Sequence, residues 1–157
     1  MSAMQPKQHL IGMTTRIKEM FTKDIRAIPP EKLTEACGGC SRAPLSLVVE
    51  CAEANGAFGK ILLGETFERK SEEERKAFHA TFETIEQALA FLDAETAKLI
   101  AIYEGLDEST LGEMTEMMGM PMTKFAIAEM PSIHMMYHDG QLNYIQTLYG
   151  DEAIHWR

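Results

Sequence analysis

Apolar residues recur every three or four positions along four long stretches of this chain, and nowhere do they alternate with polar ones for the length of a strand. That pattern predicts long helices, each with one stripe to bury, and no sheet. The first stretch runs from about Gln5 to Ile28, with Leu10, Met13, Ile17, Met20 or Phe21, and Ile25 on one face. It ends at Pro29 and Pro30, since proline lacks the amide hydrogen and constrains the residue before it. The second runs from about Pro44 to Leu63, with Leu47, Ala54, Phe58 and Ile61 as its inner stripe. The third opens on Ser71-Glu72-Glu73-Glu74, a capping box, and keeps its period through Phe78, Ile85, Leu92 and Leu99 to Gly105. A crossover over 105–122 leads to the last stretch, about Thr123 to Tyr149, where Pro131 is expected to break or kink the helix. The implied fold class is all-α, with four main helices in one domain over residues 1–157.

A chain of 157 residues buries roughly 70% of its unfolded surface, enough for one core without staples. Its net charge of −9 disfavours a phosphate backbone as partner, so no nucleic-acid binding is expected. No segment has the ~20 apolar residues of a membrane helix, and the first twenty residues do not read as a signal peptide. The expected location is the cytoplasm, where three cysteines stay reduced. Cys37-Gly38-Gly39-Cys40 has neither the second pair of a zinc ribbon nor a βαβ context, so it reads as a Gly-rich turn with incidental thiols.

The chemistry concentrates in Ile133-His134-Met135-Met136-Tyr137-His138-Asp139-Gly140-Gln141. His134 and His138 are four apart, one above the other on a helix face. Gln141, Ile145 and Leu148 extend that face, so two imidazoles stand where a bundle buries leucine. Each buried ring nitrogen needs a partner, and a shared metal ion serves both rings at once. In the second helix Glu50 lies at the margin of the stripe and Cys51 nearer its centre. A buried carboxylate needs a cation, whereas the helical wheel favours Cys51 as a thiolate ligand. Asn55, one turn on, is a candidate for the shell behind the ligands. His79 and His9 read as surface histidines. Met114, Met117, Met118, Met120 and Met122 read as gap-fillers of the crossover rather than a copper(I) site. Tyr137 and Tyr144 flank the histidine face.

Pro44 to Phe58 (PLSLVVECAEANGAF) and His134 to Trp156, with H-x-x-x-H-D-G-Q-L-N-Y-I-Q-T-L-Y-G-D and a closing H-W, resemble the second and last helices of the DinB/YfiT-like family. The resemblance implies an up-up-down-down four-helix bundle with a divalent metal (zinc, nickel, iron or manganese) held by residues of those two helices. Two of the family's three histidines fall on His134 and His138, and the third falls on Glu50, a departure from the pattern. Two His and one carboxylate is still a set used in catalytic zinc and non-haem iron sites. The resemblance also implies a metal-dependent transferase that joins a low-molecular-weight thiol to a small electrophile; the sequence suggests a homodimer. The alternatives are a non-catalytic, stress-linked metal-binding bundle and a helical module without metal.

Overall fold

In the computed structural model, residues 5–156 are described; the expected domain ends at residues 1–4 and 157 lie outside them. Among the described residues five α-helices form: α1 (Pro6–Ala27), α2 (Pro44–Leu62), α3 (Glu72–His79), α4 (Ile85–Gly105) and α5 (Lys124–Leu148). Between α4 and α5 the crossover carries a hairpin, β1 (Met114–Met117) and β2 (Met120–Thr123).

The expected third helix is therefore two. The capping box at Ser71 and Glu74 forms as expected and starts α3. A second box then starts α4: Thr84 Oγ1 accepts from the Gln87 amide, and the Gln87 side chain accepts from the Thr84 amide. The break at residues 80–84 lets Phe78 and Phe82 fold back onto Phe91, with ring centroids 5.8 and 5.3 Å away. The apolar period runs straight through this corner because residues on both sides of it face the same core.

The expectation of no strand is also corrected. Met118 and Gly119 both have positive φ, 54° and 78°, the conformation that a two-residue hairpin turn demands. Met117 pairs with Met120, and Met114 with Thr123. Four-residue strands are too short to show alternation. Pro131, in turn, does not end α5, which is helical from Lys124 to Leu148. A proline interior to a helix loosens the carbonyls one turn before it. The Tyr103 hydroxyl donates to the Ala128 carbonyl at 2.7 Å there, from the neighbouring helix.

α2 packs on α4 and α5, and α1 packs on α5 and α4. In this ring α1 and α2 sit diagonally opposite. One end of the core gathers Phe21, Ile25, Val48, Leu92 and Met135; the other gathers Leu10, Leu99, Tyr103 and Ile127. Each such side chain contributes roughly 1.5–3 kcal/mol by leaving water. Because α2 lies between two helices, its buried face is broader than the expected stripe. Val48, Cys51, Ala52, Asn55 and Leu62 are buried, while Ala54, Phe58 and Ile61 lie at the margin. On α5, Leu148 is likewise exposed rather than buried. Among the described residues no helix is long and apolar enough to cross a membrane.

Candidate metal centre

α5 presents His134 and His138 to α2, one turn apart on a face that also buries Met135, Asp139 and Leu142. Their rings meet edge to face with centroids 4.5 Å apart. The two Nε2 atoms are 3.2 Å apart. His138 is almost wholly buried, and its Nδ1 lies 2.8 Å from Gln141 Oε1. With Nδ1–H donating to that oxygen, the Nε2 lone pair points at the other ring. Burial, and then the charges of His138 and Arg42, hold the His134 imidazole down to about 4. Burial also lowers His138, Arg42 adds to this, and the Gln141 bond opposes both. Two neutral imidazoles therefore face each other at neutral pH.

α2 brings two donors to this pair. The sulfur of buried Cys51 and one ring nitrogen of each histidine all lie within 4.8 Å of one another. Burial pushes the Cys51 thiol well above its usual range, against the opposing pull of Arg42. Glu50, from the adjacent position, turns its carboxylate edge-on. Its Oε2 accepts a hydrogen bond from Arg42, with Arg75 Nη1 3.9 Å away. Its Oε1 faces the imidazoles, 3.8 Å from His134 Nε2 and 3.7 Å from His138 Nε2.

The donor set suits a divalent ion. For metal–nitrogen bonds of about 2.0–2.1 Å, two nitrogens 3.2 Å apart subtend roughly 100°, near the tetrahedral value. Without an ion, one of these facing nitrogens must carry a proton for the other. With the His138 proton on Nδ1, that donor is His134 Nε2, which leaves His134 Nδ1 buried as a lone pair with no protein partner.

A cleft of about 660 Å³ opens beside the pair, lined among others by Glu50, Glu53, Gly56, Arg75, Phe91 and His134. Gly56 keeps its floor low: a Cβ there would sit 2.6 Å from Glu95 Oε2.

The other sequence candidates fall away from this cluster. Asn55 is fully buried, but its Nδ2 donates to Thr96 Oγ1 at 3.0 Å and makes no bond to either histidine. His79, expected at the surface, is tucked between Glu53 Oε2 at 2.7 Å and Ser46 Oγ at 3.3 Å, because α3 docks on α2 there. Tyr137 and Tyr144 are exposed outside the cleft. Met117 is buried, whereas Met114, Met118 and Met120 are exposed on the hairpin. Cys37 donates to Ser41 Oγ at 3.3 Å, and Cys40 is exposed. Sequence reasoning missed Arg42, whose place in a Gly-rich connector gives no periodic signal. It also missed the part played by Gln141, although the three-residue spacing from His138 is legible.

Geometry and topology together define a helical bundle with a buried cluster able to hold a divalent metal. No family model and no curated protein matches the sequence. The structure is similar to the crystal structure of a DinB-like protein, YjoA from Bacillus subtilis, with a TM-score of 0.68 and 17% identity, over 93% of this chain and 94% of that one. The chain thus has the DinB-like fold that the resemblance of its second and last helices implies.

Proposed function

We propose that this single-domain protein holds a divalent metal through Glu50, His134 and His138, and uses it to join a low-molecular-weight thiol to a small electrophile. The observation that carries the reading is the convergence of three donor atoms, Glu50 Oε1 and the two Nε2 atoms, all within 3.8 Å of one another at the mouth of a cleft. Arg42 anchors the far carboxylate oxygen, so Oε1 is aimed at the imidazoles before any ion arrives. Gln141 holds the His138 proton on Nδ1. When bound, the ion supplies Lewis acidity that brings a coordinated thiol to its thiolate. The protein's share is to orient the ligands, keep both imidazoles neutral and admit the electrophile through the cleft.

Cys51 favours a second reading. As a fourth protein donor it would close the coordination sphere, as in structural zinc sites, and the bundle would bind metal without catalysis. Metal affinity separates the two. Glu50→Gln is expected to weaken binding about tenfold or more, and Cys51→Ala about twofold or less; the reverse order would overturn the assignment of Glu50. Activity is then screened with several thiols and common electrophiles. Turnover that survives complete chelation would exclude the mechanism.

Assembly as a homodimer in the cytoplasm is part of the same proposal. It is supported by the row of exposed apolar side chains Ile133, Tyr137, Tyr144 and Leu148 along α5. Sedimentation equilibrium tests it, and a monomer at micromolar concentration would refute it.

A further inference from the structure

Arg75 stands on the wall of the same cleft, beside the carboxylate that faces the imidazoles. Its nearest carboxylate oxygen, Glu50 Oε2 at 3.9 Å, is beyond hydrogen-bond range and is already taken by Arg42. Glu72, one turn earlier on α3, gives its carboxylate to Lys76 at 2.7 Å. Lys60 and Arg69 also line the cleft, but neither contacts the Glu50 carboxylate, and the two cations beside Glu50 and Glu53 are occupied. Arg42 bonds Glu50 and lies 3.4 Å from His138 Nδ1; Lys70 bonds Glu53 and lies over the Phe78 ring, 4.1 Å from its centroid. Arg75 thus presents a planar fork of N–H donors to the cleft, the shape that grips a carboxylate by two bonds. Elsewhere the cleft carries Glu53, Glu68, Glu72 and Glu95, which repel an anion and oppose the attraction of Lys60 and Arg69.

The geometry points to an anion-binding seat at Arg75 that takes the carboxylate of a small thiol ligand whose sulfur lies at the His134–His138 pair. The inference rests on the metal-centre reading and narrows its ligand to thiols carrying a carboxylate a few bonds from sulfur. The Glu50 carboxylate lies 3.9 Å from Arg75 and 3.7 Å from His138 Nε2, so Arg75 and the imidazoles stand on either side of a single carboxyl group, a separation that a short thiol acid can span.

The test uses the full-length protein loaded with cobalt(II) and two probes that differ in one charge, N-acetylcysteine and its amide. Sulfur-to-cobalt charge-transfer absorption reports binding. The wild type is expected to bind the acid about tenfold more tightly than the amide, the usual scale for a charge-assisted bidentate contact. Arg75→Gln should bring the two within about twofold, while Arg75→Lys keeps part of the preference. Cobalt affinity and the helical circular dichroism of Arg75→Gln should match the wild type, which separates a lost seat from a damaged fold. Equal binding of acid and amide by the wild type overturns the seat, and so does a preference that survives in Arg75→Gln. If neither probe produces the new absorption, the metal-centre reading falls and the seat falls with it.

Discussion

His134 and His138 reach each other because a helix places residues four apart on one face, but their orientation is set by side chains outside that pair. Gln141 commits the His138 proton to Nδ1, 2.8 Å away. Replacing Gln141 with Leu should lower metal affinity about 10- to 100-fold, as loss of an orienting partner does elsewhere; calorimetric titration of zinc measures it. Next to His138, Asp139 meets Asp24 of α1 in a buried carboxyl pair, and burial followed by the Asp24 charge pushes Asp139 up to about 7. Unfolding returns it to the ordinary carboxylate range near 4. The folded state therefore holds a proton that the unfolded chain has released between roughly pH 4 and 7. Stability from this group is complete below that window and is lost as pH rises through 7. His134 acts the other way: its lowered value contributes stability above about 6.5 that is lost as pH falls toward 4. In metal-free protein the two slopes offset each other between those limits. Asp139→Asn should unfold in urea like the wild type at or below about pH 4 and be more stable at pH 8, by an amount on the order of 1 kcal/mol or more. Equal stabilities at both pH values would show that Asp139 holds no such proton.

At the scale of elements, caps and turns decided what the apolar period could not. The periods of α1 and of the second half of α5 are legible because each buries one continuous face, whereas α2, packed between two helices, buries a broader face than the stripe of Leu47, Ala54, Phe58 and Ile61. The corner at residues 80–84 is not legible, because Thr84 and Gln87 form their capping box between two segments that share a core. The hairpin is hidden because its signal is two positive φ angles, at Met118 and Gly119, rather than a pattern of side chains. Pro131 reads as a break or kink because it removes the amide that would bond the Ile127 carbonyl, yet α5 continues through it, and Tyr103 of α4 donates to the adjacent Ala128 carbonyl. Tyr103→Phe should cost about 1 kcal/mol in urea unfolding, the net value of one buried hydrogen bond. A change below a few tenths would mean that this bond contributes nothing to holding α4 on α5. The candidate site was legible in part. His134, His138 and the choice between Glu50 and Cys51 follow from spacing and burial. Arg42 and Arg75 do not, since they reach the cluster from the Gly-rich connector and from α3.

Across the whole molecule, the ring of α1, α4, α2 and α5 places the ligands on two touching helices and the cleft beside them. α2 supplies small residues, Ala54, Gly56 and Ala57, where the cleft needs room. The Cys37–Cys40 turn lies on the connector and shares no bond with the cluster, so Cys37→Ser/Cys40→Ser should leave melting temperature and metal content unchanged. The account stands or falls on the metal itself. Protein produced without a histidine tag and desalted without chelator is analysed for metals by mass spectrometry, beside His134→Ala/His138→Ala. The account predicts about one transition-metal ion per wild-type chain, in line with a single tetrahedral donor cluster, and loss of nearly all of it in the folded double variant. A wild type free of metal that gains none on zinc titration, or a double variant that keeps its metal, would contradict it.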